Sequence, residues 1–350
     1  MSATIKDVAK AAGVSPSTVS RVLNNNAPIS EATRERIFTA MEELKYVPND
    51  IARSFASGSA KAIAIAINVA DAQAYSNSFF NNTVFGIETA AHRNGYNLIV
   101  TGANDERGGT HSIEKLVMSK KIDGLVLPVS MLQPSMLKFI ADNAFPCVIL
   151  GRLGDNCSNI SWVDIANAQA GAASVEHLLC AGYRKPAFVS AGEEELFNRD
   201  RLEGYTSALR AAGTGDSGMC IIHALPGLED AKRCMEELLT RPDAPDCVIC
   251  GSDVLAVAAL RTAEKHHLRV PEDFGILCFD NTAVTELSEP GISAVDVDTF
   301  ELGRLAAENL FCLIEKPESG AKQSRLTTRI IERQSTAKQL QKNPLTEVMH

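Results

Sequence analysis

The chain has no apolar run long enough to span a bilayer, which takes about twenty residues, and its N-terminus lacks the basic-then-apolar pattern of a secretory leader. Both absences point to a cytosolic protein without a membrane partner. Cysteine usage agrees, because the nine cysteines are odd in number and scattered singly instead of spaced as a disulfide framework. Catalytic signatures are missing too. No G-x-G-x-x-G opens the first helix of the α/β region, and neither a G-x-x-x-x-G-K-[ST] phosphate loop nor a G-x-S-x-G nucleophile elbow is present. The seven histidines show no metal-ligand spacing, and the adjacent His266 and His267 would point apart on a helix. Cys247 and Cys250 form a C-x-x-C, but within the apolar run CVIC; three apart on a strand, they would face opposite sides and share no metal or redox site. The expectation is a protein that is not an enzyme and needs no cofactor or metal.

What is present is globular. With 350 residues, 45% hydrophobic and 22% charged, the chain can build two or three domains with large cores. Its net charge of -9 argues at first against a nucleic-acid partner. The charge is unevenly spread, however. Residues 1–60 hold Lys6, Lys10, Arg21, Arg34, Arg36, Lys45 and Arg53 against six acidic residues, net +1, which leaves -10 for the remainder. A weakly basic head on an acidic body turns the head toward phosphate and keeps the body away from it.

The head has the sharpest local pattern, in Thr4 to Asn24, TIKDVAKAAGVSPSTVSRVLN. Ile5, Val8, Ala9 and Ala12 recur at helical spacing, as do Val19, Val22 and Leu23, so two short helices can close their apolar faces on each other. Gly13 suits the sharp turn between them, and Ser15 reads as an N-cap with Pro16 at the first helical position. The outer face of the second helix then carries Pro16, Ser17, Ser20, Arg21 and Asn24. These are small or hydrogen-bonding groups plus one guanidinium, on the surface that would enter a DNA major groove. A capped helical hairpin with an ordinary solvated face fits the same pattern. Ser30 opens a third helix with Ile37, Ala40, Met41 and Leu44 as its stripe, and Pro48 stops it. The head thus covers 1–48, a small all-α unit. Within 49–60, the run NDIARSFASG predicts a short helix between an Asn49 or Asp50 cap and Gly58, marginal in isolation and dependent on a partner for its order.

From Lys61 strands alternate with helices. Strand-like runs at 62–69, 96–102, 124–129 and 146–150 are followed by a second set at 185–191, 219–223, 246–250 and 274–279, with helical stretches between them. This predicts an α/β body of two lobes with parallel sheets, spanning 61–336. Lobe 1 is expected at about 61–162 and 292–324, lobe 2 at about 163–291 and 325–336, with a polar tail at 337–350. Open α/β sheets bind ligands beyond the carboxyl ends of their strands, and two facing lobes make a cleft there. Candidates just after strands are Arg201, Ser252, Asp253, Asp280 and Asn281, a donor and acceptor set suited to a polyol or sugar. Phe79 and Phe80, after the first strand, could supply an apolar wall. An Asp or Ser in such a place is also commonly a helix cap, and for Ser252 both readings stand.

Taken together, TIKDVAKAAGVSPSTVSRVLN, SEATRERI, YVPNDIARSF, VDIANAQAGAASVEHLLCAGYRKPAFVSAG, RDRLEGY, VPEDFGILCFDN and IIERQST resemble the LacI/GalR family of bacterial transcription regulators. The resemblance covers about Thr4 to Thr336. It implies a helix-turn-helix head, a hinge helix and a periplasmic-binding-protein-like, two-lobed effector-binding and dimerisation core. It further implies a homodimer on a pseudo-palindromic operator, its DNA affinity altered by a sugar or other small metabolite in the cleft. By the family's pattern Pro16, Ser17 and Arg21 read base edges, while Ser15, Thr18, Ser20 and Asn24 contact phosphate or support the readers. Ala52 and Phe55 fall where the hinge enters the minor groove, with Phe55 in place of the usual leucine. Pro16 replaces a residue that is often polar, which leaves it only an apolar contact. Arg201 and Asp280 match ligand-contacting positions, and Ser252 stands where asparagine is frequent. NSFF at 77–80 and FNRDRLEGY at 197–205 look most like the maltose-responsive members. The expected function is a repressor of sugar-utilisation genes controlled by a small sugar, such as maltose or a maltodextrin, in the cleft; the alternatives are a DNA-binding regulator using a corepressor or protein partner, or a cytosolic sugar-binding or sugar-modifying α/β protein without DNA binding.

Overall fold

The computed structural model describes residues 3–23, 29–46, 58–68, 78–102, 112–154, 157, 159–192, 195–214, 219–225 and 227–338. The chain divides into two compact units, Met1–Ala60 and Lys61–His350.

The first unit holds α1 (Ile5–Ala12), α2 (Pro16–Leu23) and α3 (Glu31–Glu43). The Asp7 carboxylate accepts from the main-chain N–H and the hydroxyl of Thr4 at 2.9 and 2.7 Å, which closes the start of α1 and holds its carboxyl pKa down. Gly13 ends that helix with φ +66°, and the Val14 N–H reaches back to the Ala9 carbonyl at 2.9 Å. Val8, Ala9, Ala12, Val19, Val22, Ile37 and Ala40 bury themselves together as one small core. Leu44, expected in the α3 stripe, is 37% exposed because the helix has already ended at Glu43.

The second unit contains two six-stranded sheets. The first lobe uses β1 (Ala62–Ile67), β2 (Asn97–Gly102), β3 (Gly124–Pro128), β4 (Cys147–Leu150), β5 (Ser161–Ile165) and β11 (Gln323–Leu326), in the order β11-β5-β4-β3-β1-β2. Its helices are α4 (Ser78–Arg93), α5 (Ser112–Met118), α6 (Pro134–Asp142) and α12 (Thr299–Glu315). The second lobe uses β6 (Pro186–Ser190), β7 (Cys220–His223), β8 (Cys247–Cys250), β9 (Gly275–Phe279), β10 (Ser293–Asp296) and β12 (Arg329–Ile331), in the order β12-β10-β9-β8-β6-β7. With these go α7 (Asn167–Cys180), α8 (Leu196–Ala211), α9 (Leu228–Leu239), α10 (Asp253–Lys265) and α11 (Ala283–Leu287).

Both faces of the second sheet are buried, which is why its strands read as unbroken apolar runs. Cys247, Ile249, Leu277 and Phe279 pack into the core on one face, and Val248, Cys250, Ile276 and Cys278 into that on the other. Cys247 and Cys250 therefore sit on opposite sides of the sheet.

The chain crosses between lobes three times, and here the boundaries move from those expected. Residues 163–165 stay in the first sheet as part of β5, 293–296 belong to the second as β10, and 325–326 complete β11 in the first. The crossings are Ala166, Val297–Asp298 and Thr327–Thr328. All strand pairs are parallel except β10 with β12. That exception follows from the path: β11 runs toward the crossing and continues after two residues into β12, so β12 enters the second sheet against the direction of its strands. The closing segment is sutured down by polar groups. Ser335 Oγ accepts from Ser293 N at 2.8 Å, and Thr336 Oγ1 lies 2.7 Å from Ser293 Oγ and 2.8 Å from His177 Nε2. Of the expected tail, residues 337 and 338 are described.

Candidate functional site

In the head, α2 begins where its sequence signals place it. Ser15 Oγ accepts from the Thr18 N–H at 3.2 Å and lies 2.7 Å from Ser17 Oγ and 2.9 Å from Thr18 Oγ1. Ser15, Pro16, Ser17 and Arg21 are exposed, Thr18 and Ser20 are half-buried, and Val19 and Val22 turn inward. One turn of helix thus separates the anchoring residues from a solvent-facing row. Asn24, Ala52 and Phe55 lie outside the described residues.

In the body, a cavity of about 630 Å³ opens between the lobes, mid-range for small-molecule sites. The first lobe contributes Ser78, Phe79 and Asn82 from the start of α4, with Thr299 and Phe300 from the start of α12. From the second come Ser252 and Asp253 after β8, Asp280, Asn281 and Thr282 after β9, Asp296 at the end of β10, and Arg329. Parallel strands deliver these residues because their carboxyl ends point toward the cavity.

The lining is rich in carboxylates: Asp253, Asp280, Asp296 and Asp298 stand against the single guanidinium of Arg329 among the described lining residues. Several are already oriented. Asp253 Oδ2 accepts from Thr282 Oγ1 at 3.0 Å; Asp296 accepts from Asn281 Nδ2 at 3.0 Å and from Arg329 Nε at 2.8 Å. Asp280 adopts φ +72°, a left-handed conformation that aspartate enters more readily than most non-glycine residues. Burial raises its carboxyl pKa, and the Arg201 guanidinium pulls it part of the way back.

Arg201 lies one layer behind this wall, 5% exposed, with its guanidinium 3.9 Å from the centre of the Phe279 ring. Its Nε donates to Asn167 Oδ1 at 2.9 Å. Burial lowers its pKa, opposed by the charges of Asp280 and Asp164. Helices α7 and α8 hold it there by close approach: a Cβ on Gly171 would meet the Arg201 main-chain oxygen, and one on Gly204 the Ala168 oxygen.

The structure therefore brings Phe79 from the first lobe and Ser252, Asp253 and Asp280 from the second to one cavity. Ser252 also caps α10, its Oγ accepting from Leu255 N at 3.4 Å, so the cap and the cavity position coexist in one residue. Phe80 is a correction. Consecutive helical residues diverge by about 100°; both phenylalanines pack against the first-lobe core, but Phe79 lines the cavity and Phe80 does not. Asp296, Asp298, Phe300 and Arg329 escaped the sequence reading. They lie where the chain crosses between lobes, and the strand end that marks Asp296 was hidden inside one long apolar-to-helical stretch.

Residues 4–49 match the family described as bacterial regulatory proteins, lacI family, and residues 175–336 match the periplasmic binding protein-like domain. Over 318 residues the chain is 33% identical to the HTH-type transcriptional regulator MalR of Streptococcus pneumoniae, covering 90% of this chain and 93% of the relative. A solved complex of the transcriptional regulator CelR with cellobiose matches with a TM-score of 0.69 at 28% identity, over 95% of this chain and 99% of that one. The lac repressor dimer bound to operator and the anti-inducer ONPF shares the fold with a TM-score of 0.79 at 22% identity, over 96% and 99% of the two chains. No described helix is long and apolar enough to cross a membrane. One-third identity sustained over 90% of the chain is decisive: it belongs to the lacI family of bacterial regulatory proteins and is a DNA-binding transcriptional regulator with an effector-binding domain, not an enzyme.

Proposed function

We propose that the chain is a repressor of sugar-utilisation genes, controlled by a small neutral sugar of the maltose or maltodextrin class in the interlobe cavity. The carboxylate-rich lining carries this reading. Carboxylates accept hydrogen bonds from hydroxyls and repel anions, so Asp253, Asp280, Asp296 and Asp298 favour a neutral polyol over a phosphorylated or carboxylated effector. Phe79 and Phe300 add aromatic surface for the apolar face of a sugar ring. A relative points the same way: CelR is solved in complex with the neutral sugar cellobiose.

On DNA, the reading assigns Pro16, Ser17 and Arg21 to base edges and Ser15, Thr18, Ser20 and Asn24 to phosphate or support, with Ala52 and Phe55 in the minor groove. It assigns the effector contacts to Phe79, Ser252, Asp253 and Asp280, with Arg201 acting on them from one layer behind through its charge on Asp280. A homodimer on a pseudo-palindromic operator completes it. Apolar side chains left exposed on the body, among them Phe85 (63%), Met118 (67%) and Leu287 (83%), are suited to contact with a second copy. Calorimetry with glucose, maltose, maltotriose and cellobiose, with and without operator selected from random DNA, tests the proposal. Sugar binding that weakens operator binding, and operator binding that weakens sugar binding by the same factor, is the expected result. A sugar that tightens operator binding would make it a corepressor, and absence of binding to the whole panel would refute the effector class.

A further inference from the structure

We propose that Asn167, Asp164, Arg152 and Asp200 form a lobe-bridging ring of positioning residues that holds Arg201 behind Asp280 at the effector cavity wall and ties its placement to the relation between the lobes. The inference rests on the proposed effector role of Asp280, whose carboxylate the buried Arg201 guanidinium influences from behind the cavity wall.

The ring closes beside the first crossing. From Arg201 in α8, Nε donates to Asn167 Oδ1 at 2.9 Å, and Asn167 Nδ2 donates to Asp164 Oδ1 at 3.3 Å. Asp164 belongs to β5 in the first lobe, and its Oδ2 accepts from the Arg152 main-chain N–H at 2.9 Å. The Arg152 side chain then returns to α8, with Nε 2.9 Å from Asp200 Oδ2 and one terminal nitrogen 2.7 Å from Asp200 Oδ1. Asp200 is the neighbour of Arg201 in sequence. The loop therefore starts and ends on adjacent residues of one lobe after passing once through the other, crossing the lobe boundary twice.

Three features make this more than incidental packing. The Arg152–Asp200 contact is a two-point fork on a carboxylate with side-chain exposures of 18% and 14%, so it is fixed in orientation and shielded from solvent screening. Asn167 and Asp164 are 2% and 8% exposed, so each lost hydrogen bond would leave a buried polar group without its partner. Asn167 uses both ends of its amide, accepting from Arg201 and donating to Asp164, which fixes its orientation. A relative shift of the lobes that separates Arg152 from Asp200 pulls on the residue next to Arg201. Conversely, an effector that engages Asp280 acts on the Arg201 guanidinium behind it and biases the ring toward the geometry in which it closes.

Two measurements on the full chain test this: hydrogen–deuterium exchange without ligand, and calorimetry with maltose and cellobiose as probes. Asp200→Asn keeps the shape and removes the charge, and Asp200→Glu restores a carboxylate. Asp200→Asn is expected to raise exchange locally in residues 151–154 and 196–204 and to weaken sugar binding about ten-fold. Asp200→Glu should return affinity to within about three-fold of the parent. Unchanged exchange in those segments overturns the ring, whatever the sugar does. Faster exchange with parental sugar affinity overturns the positioning role and leaves only a structural bridge. If the parent protein binds neither sugar, the effector class fails, and exchange still decides the ring.

Discussion

Replacing Asp280 by asparagine separates what this residue does for the effector from what it does for the fold. The φ of +72° is tolerated by asparagine as well as by aspartate, so the backbone at the end of β9 stays in place and the substitution removes charge alone. For binding, a charge-assisted hydrogen bond to a sugar hydroxyl becomes a neutral one. The two kinds contribute about 1.5–3 and about 0.5–1.5 kcal/mol, so a loss of roughly 1–1.5 kcal/mol, about ten-fold in Kd, is expected. For folding the sign is opposite. Burial outweighs Arg201 and raises the carboxyl pKa in the native state, so ionisation is harder in the folded than in the unfolded chain. The parent protein consequently loses stability as pH rises from the ordinary aspartate value, about 3.9, through the higher native one, and at neutral pH the penalty is fully present. Asparagine carries no such penalty. Asp280→Asn should therefore bind maltose about ten-fold more weakly at pH 7.5 yet unfold in urea at no lower midpoint than the parent, any gain shrinking below pH 4. Calorimetry and urea titration at the two pH values check this. A variant that loses stability in step with affinity would refute the reasoning and make Asp280 a structural residue.

Three further substitutions probe the head, the helix contact and the cavity rim. Arg21→Ala should cost about 1–3 kcal/mol of operator affinity and relax the base preference at one position, read by selection of bound DNA. Unchanged affinity and preference would remove Arg21 from the readers. Gly171→Ala drives a methyl into the Arg201 main-chain oxygen. Overpacking of about 1–3 kcal/mol, less about 1 kcal/mol gained in helix propensity, should leave a net loss of up to about 2 kcal/mol in urea unfolding. Arg329→Gln removes the charge paired with Asp296 at 2.8 Å on an exposed strand. Its effect on stability should stay below about 1 kcal/mol, because the Arg329 side chain is largely solvated, while affinity for maltose falls more than affinity for glucose in calorimetry.

Much of the head and the body could be read from the sequence because the signals there are local. Ser15 and Pro16 mark the start of α2, Gly13 marks a left-handed turn, and the alternation after Lys61 exposes the parallel units. The misplaced lobe boundaries have a different cause. Residues 163–165 and 293–296 are strands whose neighbours come from distant parts of the chain, and no local pattern says which of two similar sheets accepts them. Phe80 shows the same limit at smaller scale: two adjacent phenylalanines are alike in composition, and only the structure shows that Phe79 and not Phe80 lines the cavity.

By itself, then, the sequence determined the helix-turn-helix head, the two α/β lobes, the family and the strand-end residues Ser252, Asp253 and Asp280, because caps, turns and periodicity act over a few residues. Only the tertiary structure decided that Asp296, Asp298, Phe300 and Arg329 join them, and that Arg152 reaches Asp200 across the lobes. Those placements depend on three chain crossings that set segments far apart in sequence against one another. Contacts of that kind are fixed by packing and by the burial of charge, which no window of neighbouring residues contains.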